Sequence, residues 1–219
     1  MRKVGSSVYT HLTVNNILSE DQFGFCQGRS CSLQLLVTIN DWLGCLDSKV
    51  PVDAAYLDFK KAFDSVPHKR LLTKLKGYGI NGKVLGWVED FLKNRMQYVS
   101  INGKSSEKSP VTSGVPQGSV LGPTLFIYFI NDLPDEVKCN LKIFADDTKA
   151  YSEINSVEDQ IFLQECINKL VEWSDKWLLK FNADKCKILH LGKNNPEYTY
   201  SICHDSVSKV LFCQNCHSL

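Results

Sequence analysis

Two hydrophobic rhythms alternate along the 219 residues, one of helical period and one of short, nearly continuous apolar runs. Residues 1–32 are polar and turn-rich and predict no regular element. Leu35, Leu36, Ile39, Leu43 and Leu46 then recur at helical spacing behind Ser30 and Ser32, either of which can cap a helix. Pro51 resets the chain, and Val52–Phe59 reads as a short strand buried on both faces. Helical patterns follow around Lys69–Lys76 and Lys83–Lys93, broken by Gly77 and Gly79. The run from Gln97 to Gly103 predicts a strand entering a hairpin turn at Asn102-Gly103. A Gly/Pro-rich loop from Gly114 to Pro123 leads into Leu125–Ile130, a buried helix. Leu141–Phe144 and Thr148–Tyr151 are short strands on either side of Ala145-Asp146-Asp147. Ser156, with Asp159 three residues on, opens an amphipathic helix with a capping box. Its inner face is Leu163, Ile167, Leu170, Val171, Ser174, Trp177 and Leu178, and Lys187–Leu191 is one more strand. Beyond Pro196 no period is visible.

Short strands alternating with helices indicate an α/β or α+β domain. No internal repeat and no linker divides the chain. With 43% hydrophobic and 22% charged residues, the composition is that of a globular protein. No apolar run reaches the roughly 18–20 residues of a membrane span, and the N-terminus lacks the apolar stretch of a secretory signal. An intracellular location, in nucleus and/or cytoplasm, is therefore expected, with free thiols at the nine cysteines. The net charge of +1 hides an uneven distribution. Residues 60–108 carry eleven Lys/Arg against four Asp/Glu, a local excess of +7 against about −6 elsewhere. That asymmetry suits either a polyanion-binding face or an ordinary solvated surface.

Three carboxylates stand at strand ends. Asp58 closes the first apolar strand, and Asp146 and Asp147 lie between two short ones, Asp146 following Asp58 by 88 residues. Carboxylates so placed can gather hard cations such as Mg2+ together with substrate phosphates. Read singly, Asp-Asp is equally a hairpin turn, and Asp64 equally a surface or capping residue.

The order of motifs narrows these alternatives. Tyr56-Leu-Asp-Phe-Lys-Lys-Ala-Phe-Asp-Ser-Val-Pro-His68, Ser113-Gly-Val-Pro-Gln-Gly-Ser-Val-Leu-Gly-Pro123 and Phe144-Ala-Asp-Asp-Thr148 resemble the three successive palm motifs of reverse transcriptases from non-LTR (LINE-type, jockey-like) retrotransposons. Gln22-Phe-Gly-Phe with Gly28-Arg-Ser resembles the fingers segment before them, and Phe181-Asn-Ala-Asp-Lys-Cys186 the motif after the long helix. Together they cover residues 8–192 or so.

The resemblance implies an α+β right-hand polymerase palm, an antiparallel sheet backed by helices, with part of the fingers and no thumb. Residues 1–50 would be partial fingers, 51–195 the palm with a fingers insertion at about 68–112, and 196–219 an irregular tail. It further implies RNA-directed DNA polymerase activity with RNA template, DNA primer and dNTP as partners, and neither a membrane nor a stable protein partner. Asp58, Asp146 and Asp147 would hold two Mg2+ ions, with Mn2+ as a substitute, and Lys185 would protonate the pyrophosphate leaving group. Phe63 would crowd the sugar 2′ position, a discrimination by clash. Gln117 and Gly118 would contact the incoming nucleotide and template, Phe59 would belong to the nucleotide site, and Arg29 would pair with phosphate.

Cys26 stands where the family carries an arginine, which implies weaker nucleotide binding. The strand-turn-strand expected after Tyr200 is not recognisable. Cys213-Gln-Asn-Cys-His217, with Cys203 and His204, matches haem-attachment or zinc patterns, and a decayed or out-of-frame end accounts for the same residues. Two other readings stand beside the polymerase. One is an inactive retroelement piece that keeps nucleic-acid affinity through residues 60–108. The other is an Mg2+-dependent phospho-acceptor domain, which the order of the carboxylates disfavours.

Overall fold

The computed structural model describes the backbone of residues 2–204 and 207–216 and the side chains of residues 8–202 and Leu211. In chain order the elements are α1 (Arg2–Val14), α2 (Cys31–Asp47), β1 (Val52–Leu57), α3 (Ala62–Ser65), α4 (His68–Gly77) and α5 (Gly82–Leu92). Four two-residue strands follow: β2 (Met96–Gln97), β3 (Ser100–Ile101), β4 (Lys104–Ser105) and β5 (Ser109–Pro110). Then come α6 (Gly122–Ile130), β6 (Asn140–Phe144), β7 (Asp147–Glu153), α7 (Val157–Trp177), β8 (Lys187–Leu191), β9 (Ser201–His204), β10 (Val207–Val210) and β11 (Phe212–Cys216). Among the described residues no helix is long and apolar enough to cross a membrane.

The chain forms two compact units. Residues 19–60 and 130–219 make one, and residues 1–18 and 61–129 the other. Residues 19–50 thus share a unit with the strands of the sheet.

The first of these units is built on a five-stranded sheet in the order β11-β8-β1-β7-β6. Pairing is antiparallel except between β8 and β11. β1 is central, which is why Val52, Ala54, Ala55 and Leu57 are all buried and why the strand reads as apolar on both faces apart from Asp53. Trp42 of α2 packs edge-on against Tyr151, with ring centroids 5.9 Å apart, over Val52, Ala54 and Leu191.

α2 lies where its spacing predicts and is capped by Ser30, whose hydroxyl accepts from the Leu33 N–H. It packs, however, through Gln34, Thr38 and Trp42. Leu35, Leu36, Ile39 and Leu43 face outward, Leu36 being 68% exposed. α7 carries the expected capping box of Ser156 and Asp159. Leu163, Ile167, Leu170, Val171 and Ser174 are buried as expected, joined by Trp173. The helix stops at Trp177 because Leu178 turns left-handed (φ 57°), which exposes Leu178 and hands the core position to Leu179.

A buried polar cluster joins β1, β8 and the chain beyond Pro196. Asp53 and His190 are both buried, with Asp53 Oδ1 2.6 Å from His190 Nδ1. Asn195 Nδ2 donates to the same oxygen at 2.7 Å, and the Tyr200 hydroxyl donates to Oδ2 at 2.6 Å. Where the sequence shows no period, the backbone forms β9 and β10 as an antiparallel pair, and β11 joins the sheet. The anchor at Tyr200, together with buried Ile202 and Leu211, accounts for that order. The cysteines and histidines of the tail motifs lie outside the described side chains.

The second unit contains a helix that the sequence does not announce. α1 buries Val8 and Leu12, four residues apart, and the Val8 carbonyl accepts from the Tyr128 hydroxyl at 2.6 Å. α4, α5 and α6 contribute buried Leu71, Leu75, Val88, Leu92 and the run Leu125–Phe129. The Asn102-Gly103 turn forms as expected, both residues having positive φ (51° and 78°), between β3 and β4. Not all of the basic excess reaches solvent, because Lys74 is buried and donates to the Phe129 carbonyl at 2.6 Å.

Candidate active site

The carboxylates of the sheet unit are brought together by strand register. Leu57 pairs with Thr148, so Asp58, one residue beyond β1, lies level with Asp147 at the start of β7. Phe144 pairs with Asp147 across a two-residue turn, Ala145-Asp146, in which Ala145 has φ 56°. The segment Phe181–Cys186 folds beside Asp58: Asn182 N–H donates to the Asp58 carbonyl at 2.7 Å, and Lys185 and Cys186 N–H both return to the Asn182 carbonyl. This turn sets Lys185 Nζ 3.6 Å from Asp58 Oδ1.

The electrostatics of the cluster are unbalanced. Burial pushes the Asp146 carboxyl above its ordinary range, and the like charges of Asp147 and Asp58 push it further. Its own backbone N–H and Lys185 pull the other way. Asp58 Oδ1 is buried and has no hydrogen-bond partner. A carboxylate oxygen that has no hydrogen-bond partner, only the more distant Lys185 ammonium, beside crowded negative charge fits a hard divalent cation. Among the described residues no three His, Cys, Asp or Glu side chains are gathered closely enough to hold a metal by themselves. Any ion here would therefore draw part of its shell from water or phosphate, as Mg2+ commonly does.

A cleft of about 460 Å³ adjoins the cluster, lined among others by Gln34, Tyr56, Asp58, Asp147, Thr148 and Lys185. Sequence reading singled out neither Gln34 nor Thr148. Both side chains are buried, and Gln34 Nε2 and Thr148 Oγ1 have no hydrogen-bond partner. The Gln34 carbonyl oxygen accepts from Lys149 Nζ at 3.2 Å. The leucine spacing of α2 marks the opposite face, so no signal in the sequence points to Gln34.

Two residues expected at the nucleotide site have other surroundings. The Phe59 side chain is 3% exposed, stacked on Phe181 with centroids 4.3 Å apart and tilted towards Trp173. Its side chain is a core aromatic that holds the Phe181–Cys186 turn beside Asp58. Arg29 directs Nη1 to the carbonyls of Ser19, Glu20 and Gln22, and its guanidinium lies over the Phe23 ring at 5.2 Å. Its visible duty is to brace residues 19–29. Cys26 belongs to the same segment: its thiol donates to the Gly24 carbonyl at 3.3 Å, and burial pushes its pKa up.

In the other unit, Phe63, Gln117 and Gly118 are organised by a zipper of local contacts. Val115 N–H donates to the Phe63 carbonyl at 2.7 Å and Gly114 N–H to the Val66 carbonyl at 2.8 Å. Gln117 Nε2 donates to Asp64 Oδ1 at 3.1 Å. Half-buried Phe63 stacks on Phe126 at 4.4 Å. Gln117 and Gly118 are exposed, and Gly118 (φ 78°) has open space where a Cβ would stand. Gly114 is different, since at φ 91° a Cβ would come within 2.7 Å of the Asp64 backbone. Gly114→Ala is expected to cost about 1–3 kcal/mol through strained φ, with the clash adding to it, and urea unfolding measures the loss.

Comparison with known proteins follows the same lines. The family model described as reverse transcriptase (RNA-dependent DNA polymerase) matches residues 1–211. The RNA-directed DNA polymerase from mobile element jockey of Drosophila melanogaster is 33% identical over 194 residues, covering 84% of this chain and 21% of that protein. The probable RNA-directed DNA polymerase from transposon BS of the same organism is 33% identical over 193 residues with the same coverage. The chain thus spans about a fifth of the length of these curated relatives. Among solved structures, telomerase from Candida tropicalis superposes with a TM-score of 0.64 at 12% identity, over 89% of this chain and 34% of that one. Telomerase from Candida albicans gives 0.61 at 15% identity, over 94% and 36%. These two likenesses bear on the fold.

Proposed function

As the chain belongs to the reverse transcriptase (RNA-dependent DNA polymerase) family, we propose that it carries the nucleotidyl-transfer site of an RNA-directed DNA polymerase of the non-LTR retrotransposon kind. The substrates would be an RNA template, a DNA primer and dNTPs. The observation that carries this reading is the meeting of Asp58 and Asp146, 88 residues apart in sequence, with Lys185 beside them and Asp58 Oδ1 lacking a hydrogen-bond partner.

In this proposal Asp58, Asp146 and Asp147 hold two Mg2+ ions, or Mn2+ in their place. When bound, such ions stabilise charge on the attacking 3′-oxygen and on the leaving pyrophosphate. Lys185 carries a proton on an exposed Nζ and delivers it to the departing pyrophosphate oxygen. Phe63 selects against a 2′-hydroxyl by bulk, while Gln117 and Gly118 contact the incoming nucleotide and template. In hand terms residues 51–195 are palm, with a fingers insertion at about 68–112, and residues 1–50 are fingers. Phe59 belongs to the nucleotide site and Arg29 pairs with phosphate, while their contacts with Phe181 and with residues 19–22 brace the segments around them.

The test is extension of a DNA primer annealed to an RNA template by the purified protein. Extension is expected with Mg2+ and dNTPs, and none after chelation of the metal. A folded protein that extends nothing with either Mg2+ or Mn2+ would overturn the proposal.

A further inference from the structure

We propose that Gln22 is a positioning residue for Asp146, its buried amide fixing the turn from which that carboxylate projects. The proposal rests on reading the Asp58/Asp146 cluster as the metal-holding site. Gln22 is 1% exposed, and its Oε1 accepts two backbone N–H groups, from Gly24 at 2.7 Å and from Ala145 at 3.0 Å. Its Nε2 points back to the Ala145 carbonyl at 3.5 Å. Both polar ends of one amide thus address the residue immediately before Asp146.

Ala145 needs such support. It occupies the first position of a two-residue hairpin turn at φ 56°, a conformation usually given to glycine. Left alone, an alanine there would relax and carry Asp146 with it. Residues 21–23 are themselves fixed in register, because Phe23 N–H donates to the Ile143 carbonyl at 2.8 Å and Ile143 N–H to the Asp21 carbonyl at 2.9 Å. Arg29 braces them from behind by donating to the Gln22 carbonyl at 2.8 Å. Gly24 closes the contact, since a Cβ on it would lie 2.2 Å from the Ala145 nitrogen. The turn is therefore clamped by a segment more than 120 residues earlier in the chain.

Partners that orient a metal ligand typically carry a 10–100-fold effect on metal affinity or activity. Gln22→Met keeps length and apolar bulk and removes the acceptor. It is expected to weaken Mn2+ binding, followed by electron paramagnetic resonance, by about 10-fold or more, to lower kcat within that same range, and to leave the KM for dNTP within about two-fold. Amide hydrogen exchange at Ala145 should accelerate selectively, while β1 amides such as Ala54 and Ala55 stay protected. A residue that merely held the fold would shift the melting temperature without touching the Mn2+ affinity or the split between kcat and KM. Unchanged Ala145 exchange or unchanged Mn2+ affinity in Gln22→Met overturns the proposal. Should that variant fail to fold, the wild type decides: its Ala145 amide is expected to be as protected as those of β6, and rapid exchange there overturns the proposal too. Failure of the underlying functional reading looks different, as wild type and Asp146→Asn would then bind Mn2+ equally poorly while Ala145 exchange still reports the hold of Gln22.

Discussion

Replacing Asp53 by Leu is expected to lower the stability of the protein by roughly 3–5 kcal/mol, because three buried partners lose their acceptor at about 1–3 kcal/mol for each unsatisfied group. Asp53 is wholly buried and accepts from three side chains, His190, Asn195 and the Tyr200 hydroxyl. Leu satisfies none of them, and His190 Nε2 already has no hydrogen-bond partner. The loss should fall on the anchoring of the chain beyond Pro196 as well as on β1 and β8, because Tyr200 is held through this oxygen. Asp53→Asn keeps one carbonyl acceptor and should cost clearly less. Guanidinium unfolding followed by tryptophan fluorescence measures both, read as a shift in midpoint at constant slope. A cost below about 1 kcal/mol for Asp53→Leu would mean that the cluster is not the anchor described, since that is the range of an ordinary surface change.

Asp146→Asn is expected to act in opposite directions on activity and stability. Removal of a carboxylate proposed to help hold the metal would forfeit several kcal/mol of transition-state stabilisation, equivalent to a fall in primer extension of about 10³-fold or more. The apo protein should become more stable at neutral pH. Burial, Asp147 and Asp58 raise the pKa of Asp146, so its contribution to stability is fully present below the ordinary carboxylate pKa and is lost as pH rises through the raised value. Asparagine carries no charge to be repelled, so the variant should gain about 0.5–1 kcal/mol at pH 7.5, a modest figure because the site is open to solvent screening. The gap should close as pH falls below the ordinary carboxylate range. It should also narrow on adding Mg2+, which stabilises only the protein able to bind it.

Much of this arrangement is legible in the sequence because it rests on local rules. The capping box at Ser156, the Asn102-Gly103 turn, the mostly apolar β1 and the hairpin around Asp146 each follow from a few adjacent residues. What escaped depends on partners distant in sequence. α1 has only Val4, Val8 and Leu12 spaced by four in an otherwise polar stretch, and its helix is held by contacts such as that of Val8 with Tyr128. The leucines of α2 announce a helix correctly but not its packing face, because Trp42 with Gln34 and Thr38 meets the sheet instead. Leu178 continues the apolar period of α7 but takes the left-handed position that ends the helix. Tyr200 looks like part of an irregular tail until Asp53, 147 residues earlier, supplies its acceptor. The three carboxylates and Lys185 are recognisable by motif order. The clamp of Gln22 on Ala145 and the bracing duty of Arg29 are visible only once the segments lie side by side.

The central claim is that Asp58, Asp146 and Asp147 form a metal-dependent nucleotidyl-transfer site. Its most direct test follows single-nucleotide addition to a DNA primer on an RNA template by wild type and Asp146→Asn in parallel, with the fold of each checked by thermal melting. Mg2+-dependent addition by the wild type, with loss of about 10³-fold or more in a variant that melts no lower, is the predicted result. Equal addition by the two proteins, or none by a well-folded wild type, would contradict it.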